Sequence, residues 1–101
     1  MITRIVKMEF NATAVPGFQT LFDEVKEKIK NTDGCHYLRL YRDMHRPEIF
    51  FTYSHWESEA HLQAYRQSDL FADVWAKTKA GFNKRAEAWS LEGLHQLPAV
   101  C

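Results

Sequence analysis

A chain of 101 residues fits one domain and leaves no room for a second core. Its 13 Lys plus Arg balance 13 Asp plus Glu, so no charge excess draws it to nucleic acid or to an anionic membrane surface. The aromatic share of 14%, from three Trp, four Tyr and seven Phe, exceeds what so small a core requires and points to a pocket or an interface.

From Ile2 to Phe10 the chain alternates, with Ile2, Val6, Met8 and Phe10 on one side and Thr3, Lys7 and Glu9 on the other, which predicts a first strand. Charge inside this apolar stretch is unlike a secretory signal, and no apolar run approaches the roughly 18 residues of a membrane span. A soluble, cytoplasmic protein is expected. Asn11, just past the strand, faces either a pocket or a turn. Pro16 and Gly17 then open a segment in which Phe18, Leu21, Phe22, Val25 and Ile29 recur at helical spacing. Asp23, Glu24, Lys26, Glu27, Lys28 and Lys30 lie opposite, so the helix is amphipathic. Gly34 accepts the left-handed conformation that ends a helix and turns the chain.

Cys35 to Arg42 forms the second predicted strand, with Cys35, Tyr37 and Tyr41 on one face and Leu38 and Leu40 on the other. A polar hairpin loop, Asp43 to Pro47, leads to a third strand from Glu48 to about Trp56. There Ile49, Phe51 and Tyr53 point one way and Phe50, Thr52 and Trp56 the other, so both of these strands carry apolar bulk on both faces. Ser58 caps a short helix from Glu59 to Gln67. Ser68 or Asp69 caps its continuation, in which Leu70, Phe71, Val74, Trp75, Thr78 and Phe82 keep helical spacing up to the breaker Gly81. A fourth strand, Lys84 to about Glu92, alternates Ala86, Ala88 and Ser90 against Trp89 and Leu91.

Strand, helix, strand, twice over, is the split βαβ plan: an α+β, ferredoxin-like protomer with a four-stranded antiparallel sheet and its helices on one face. A lone sheet of this kind leaves its other face in water, yet strands two and three are apolar there. Two sheets packed face to face in a homodimer are therefore expected.

No cofactor motif is present: there is no glycine-rich phosphate loop, no H-E-x-x-H and no G-x-S-x-G. Cys35 and Cys101 form no C-x-x-C pair and are expected to be reduced thiols, Cys35 in a packing role. His45 and His95 fall in loop and tail and read as surface residues. His36 and His55 lie on strands, where a hydrogen-bonded structural histidine competes with a general base. His61 and Tyr65 share a helix face, a weak metal signal without a carboxylate, and no metal is expected. Tyr37, Phe51, Tyr53, Trp56, Phe71, Trp75 and Phe82 are either core or the lining of a cleft for a flat, apolar, lightly oxygenated molecule.

Gly34-Cys35, two strands around a polar hairpin, then Tyr53-Ser54-His55-Trp56-Glu57-Ser58-Glu59-Ala60 and Tyr65-Arg66-Gln67-Ser68-Asp69-Leu70-Phe71 resemble the antibiotic biosynthesis monooxygenase (ABM) family. The Trp-Glu-Ser step into a helix, followed by Ser-x-x-Phe, is the most specific part. The resemblance spans about residues 2–94, which gives a domain over 1–94 and a tail over 95–101. It implies a dimeric α/β barrel of two ferredoxin-like protomers, each with a cavity between sheet and helices. It also implies oxygenation of a small phenolic or quinol-like substrate by O₂ without metal, flavin or haem. In that reading His55 and Tyr65 are the catalytic candidates, and Tyr37, Tyr53, Trp56, Phe71, Trp75 and Phe82 bind substrate.

Three positions depart from relatives of this kind. The family often has a histidine where this chain has Tyr65 and commonly a glutamate where it has Ser54. Trp75 stands where haem-degrading relatives carry the iron-ligating histidine, which disfavours haem degradation. The loss of two proton acceptors supports a competing reading, a non-catalytic dimeric binding module for a small apolar metabolite. A third reading makes the aromatics core and the dimer purely structural.

Overall fold

The alternating segment Ile2–Glu9 forms strand β1, and the computed structural model, which describes residues 1–95, pairs it on both edges. β1 is followed by a single 3-10 turn at Ala12–Ala14 and by helix α1, Val15–Lys30. Strands β2, Cys35–Arg42, and β3, Ile49–Trp56, form a hairpin. Helices α2, Glu59–Arg66, and α3, Asp69–Lys79, precede strand β4, Glu87–Glu92. The sheet order is β2-β3-β1-β4 with every pairing antiparallel, the ferredoxin-like arrangement expected from the element order. The tail beyond His95, with Pro98 and Cys101, lies outside the described residues.

Local chemistry sets the helix ends. Pro16 sits in the first turn of α1, where its missing N–H costs nothing. Ser58 Oγ accepts from His61 N at 3.2 Å to cap α2, and Ser68 Oγ accepts from Phe71 N at 3.1 Å to cap α3. Of the two candidate caps for α3, the serine does the capping. Gly34 has φ 85°, and a Cβ there would lie 2.5 Å from the His61 ring, so the turn into β2 needs glycine both for conformation and for space.

Register decides the two faces. Val6 opposite Thr52 and Met8 opposite Phe50 point toward the helices, while Ile5, between Tyr53 and Trp89, points to the other face. Simple alternation groups Cys35 with Tyr37, but a register shift between them corrects this. The extra residue of the bulge turns Cys35 to the helix side, where it is buried with Trp56 and Leu62. A second cluster, Met8, Phe10, Phe18 and Phe50, fills the opposite end of the same layer. β4 starts at Glu87 rather than Lys84: pairing with the β1 end continues only through Phe10 with Phe82 and Asn83 N to Glu9 O, after which the chain leaves the sheet until Glu87.

The face away from the helices carries Ile5, Tyr37, Phe51 and Tyr53, partly exposed, with Tyr41, Trp89 and Leu91 at 44%, 43% and 44% exposure. Both faces of the sheet are thus apolar in this protomer. Among the described residues no helix is long and apolar enough to cross a membrane.

Candidate functional site

The two core clusters do not meet. Between them, under the helices, is a cavity of about 250 Å³. Val6 and Met8 of β1, Leu38 of β2 and Thr52, Ser54 and Trp56 of β3 form its sheet side. Phe18 and Phe22 of α1, Leu62 and Tyr65 of α2, and Phe71, Val74 and Trp75 of α3 form its helix side. The volume exceeds the roughly 150 Å³ that admits a benzene and falls just below the roughly 300 Å³ at which drug-sized pockets begin. One or two fused rings fit it.

The break between α2 and α3 builds the aromatic wall. Ser68 Oγ donates to Tyr65 O at 2.6 Å while capping α3, so the two helices meet at an angle with Tyr65 and Phe71 on either side of the bend. Trp56 stacks on Tyr65 (centroids 5.0 Å apart, 24° between planes), Tyr65 meets Phe71 edge-on at 5.2 Å, and Phe71 stacks on Trp75 at 5.7 Å and 11°. Phe82 continues the chain of rings against Trp75 at 5.5 Å, but it packs on Phe10 and does not line the cavity. Of the six residues expected to bind substrate, Trp56, Phe71 and Trp75 line the cavity, as does Tyr65 of the two catalytic candidates.

Besides Phe82, three expected site residues lie elsewhere. Tyr37, Tyr53 and His55 sit on the opposite face of the sheet, where His55 Nε2 is 3.0 Å from Tyr53 Oη and the imidazole stacks on Tyr37 at 5.0 Å. The cause is strand parity: His55 and Trp56 are adjacent on β3 and must point to opposite faces. A base at His55 therefore does not reach this cavity. Asn11 is resolved as a turn residue, its Nδ2 donating to the carbonyls of Gly81 and Phe82 at 3.5 and 3.4 Å. His61 turns to the surface, with Nδ1 2.7 Å from Ser58 Oγ and Nε2 3.7 Å from Asp33, away from Tyr65. Among the described residues no group of three or more His, Cys, Asp or Glu is placed to hold a metal.

Polar groups missed in the sequence gather at the Arg4 end of the cavity. Arg4 and Arg66 both line it. Arg4 Nη1 donates to Ser90 Oγ at 2.8 Å, and Arg66 Nη1 to Gln63 Oε1 at 3.5 Å. Burial lowers the Arg4 pKa, and the charge of Arg66 lowers it further. Ser54 Oγ accepts from Trp56 Nε1 at 2.9 Å, which locks the indole in place. The signal for Arg4 was available: it shares the parity of Ile2, Val6 and Met8, the apolar side of β1.

Burial pushes the Tyr65 hydroxyl up to about 12, with the neighbouring Cys35 adding to the shift. At neutral pH Tyr65 is a protonated donor and not a base. Burial also raises the Cys35 thiol, which keeps it protonated and unreactive. Because the folded state holds the Tyr65 proton more tightly than the unfolded chain, this contribution to stability is complete below the ordinary value of 10.0 and is lost as pH rises through about 12. The loss is on the order of 2 kcal/mol. Denaturant unfolding followed from neutral pH into this range is expected to show it, and Tyr65→Phe to make the fall shallower. An identical slope in the variant would reassign the effect.

The family model described as antibiotic biosynthesis monooxygenase matches residues 1–77. Among solved structures, the chain is similar to an antibiotic biosynthesis monooxygenase at 18% identity and TM-score 0.88, over 94% of this chain and 100% of that one. A conserved protein from Methanosarcina mazei Go1 is similar at 23% identity and TM-score 0.84, over 90% and 91% of the two chains. A protein from Mycobacterium tuberculosis is similar at 16% identity and TM-score 0.87, over 96% and 98%. At these identities the structures speak for the fold. No curated protein matches the chain in sequence.

Proposed function

This chain belongs to the antibiotic biosynthesis monooxygenase family, and from that premise we propose that it oxygenates a small phenolic or quinol-like molecule with O₂ in the cavity between sheet and helices. The observation that carries the reading is the cavity itself: a ring-sized space walled by Trp56, Tyr65, Phe71 and Trp75. Flat aromatic walls favour a flat aromatic ligand, by stacking and by apolar burial.

Among the described residues the lining offers no carboxylate, imidazole or thiolate, the usual ligands of zinc and non-haem iron, which supports a reaction run by the substrate's own electrons. Once ionised, a phenol is electron-rich enough to pass an electron to O₂ in a site that excludes water. Oxygen then bonds to a ring carbon. Loss of that carbon's hydrogen and cleavage of the O–O bond leave one oxygen atom as the second quinone oxygen and release the other as water. The ring supplies all four electrons that reduce O₂, so phenol and O₂ give quinone and water with no external reductant. Tyr65, protonated and part of the cavity wall, is placed to donate a hydrogen bond to the oxygen that adds to the ring. His55 has no proton to move in this scheme.

The apolar outer face supports the second half of the reading, a homodimer formed by two sheets packed face to face. Oxygen uptake by the purified protein with a panel of phenols and hydroquinones, in the presence of a chelator, tests the reaction. Stoichiometric O₂ consumption with quinone formation is expected, and Tyr65→Phe should slow it at least about tenfold. Ligand binding without uptake across the panel would replace the enzyme with a binding module.

A further inference from the structure

Among the described residues the charges lining the cavity are of one sign: two guanidinium groups, Arg4 and Arg66, and no acidic side chain. Neither is in an ion pair among the described residues: their hydrogen bonds run to the neutral oxygens of Ser90 and Gln63. The pairing Ile2 with Glu92 and Arg4 with Ser90 puts Glu92 diagonal to Arg4, yet the two are not within ion-pair distance. Among the described residues four cations, Lys26, Arg46, Lys77 and Lys84, lie within ion-pair distance of a carboxylate. Arg46 lies 3.8 Å from Glu9 and 3.4 Å from Glu48, and Lys84 lies 3.9 Å from Glu9.

Two like charges at one apolar cavity repel each other, and Arg4 is also partly stripped of water, costs that an anion between them reverses. Guanidinium is suited to this work, since its planar donor array matches two oxygen acceptors. The opposite end of the cavity, at Phe18, Met8 and Phe22, carries no charged side chain among the described residues, and the Thr78 hydroxyl in the lining is taken up by Val74 O. The space is therefore polarised, cationic at the Arg4 end and hydrocarbon at the other. We propose that the ligand is an aromatic anion, with a carboxylate or phenolate oxygen held between Arg4 and Arg66 and its ring against the aromatic wall. This rests on the reading of the cavity as the ligand site and narrows the substrate to acids. It also bears on the missing base, because a substrate that enters as the anion needs no side chain to deprotonate it.

Calorimetric titration at low ionic strength tests the proposal with matched probes. Naphthoate is compared with naphthalenemethanol for the carboxylate, and para-nitrophenolate with para-nitroanisole, at mildly alkaline pH, for the phenolate. The expected result is a preference of about tenfold or more for the anion in at least one pair, as charge-assisted hydrogen bonds of this kind give. The pair that shows it identifies the acid. In the double variant Arg4→Gln, Arg66→Gln the two members of that pair should bind with similar constants. Arg66→Gln alone, at the exposed end of α2, should cut the preference about threefold or more and keeps the test available should the double variant fold poorly. Equal binding of anion and neutral partner by the wild-type protein overturns the anion proposal and leaves the cavity as the ligand site. Binding of none of the four overturns both, and a preference that survives the double substitution overturns the role of the arginines.

Discussion

Trp56→Ala is expected to lower the unfolding free energy by about 3–5 kcal/mol, the largest loss from any single truncation in this chain. Trp56 is 1% exposed and is among the largest fully buried side chains. It closes one end of the cavity, packs on Cys35 and Leu62, stacks on Tyr65 and donates to Ser54. Its removal leaves the Tyr65 face bare, breaks the Ser54 hydrogen bond and enlarges an existing void that the sheet cannot collapse to fill. A domain of this size has only about 5–15 kcal/mol of net stability, so the variant should unfold at much lower urea. Trp56→Phe keeps a ring on Tyr65 and should recover most of the loss. Urea titration followed by circular dichroism measures both, and a change under about 1 kcal/mol for the alanine variant would mean that the indole is not the keystone of this end of the core.

Ile5→Glu is expected to convert the proposed dimer to monomers. Ile5 lies at the middle of the outer face, opposite Tyr53 on one neighbouring strand and Trp89 on the other. Phe51, Tyr37, Tyr41 and Leu91 share that face, with Thr3 and Lys7 beside Ile5 on its own strand and Arg39 and Glu87 on the edge strands, so Ile5 sits in a mainly aromatic patch that two face-to-face sheets would cover. A carboxylate placed there is desolvated on association without a partner and meets its own copy across the twofold axis. Both effects cost several kcal/mol, enough to raise the dissociation constant by about a hundredfold or more. Sedimentation equilibrium reads the outcome, while circular dichroism checks that the protomer stays folded. A wild-type protein that is monomeric at micromolar concentration, or a variant as dimeric as the parent, would remove the face-to-face barrel.

The two predictions concern opposite faces of one sheet, and how to tell those faces apart is where sequence and structure part company. Alternation along β3 already separates Tyr53 and His55 from Ser54 and Trp56. Taken strictly, it forbids Tyr53 and Trp56 from lining one pocket, so grouping all the aromatics as a single lining set went against a pattern the residues themselves display. Arg4 is legible by the same parity, since it stands in the row of Ile2, Val6 and Met8 on β1. Cys35 was not legible, since one extra residue in a bulge reverses the parity of everything before it and leaves no compositional mark.

The residues by themselves determined the element order, the antiparallel ferredoxin-like plan, the helix caps and an excess of apolar surface over what one protomer can bury. These follow from periodicity and capping, which act over a few residues. Which apolar face the helices cover, and so whether Tyr53 and His55 or Ser54 and Trp56 line the cavity beneath them, was decided only by the tertiary structure. Both faces are greasy enough to be covered, and the choice depends on how α1, α2 and α3 cross over the sheet. The meeting of Arg4 from β1 with Arg66 from α2 was decided there too. No local pattern links them; long-range packing brings two cations to one end of an apolar cavity, and that makes its ligand a chemical question with a definite sign.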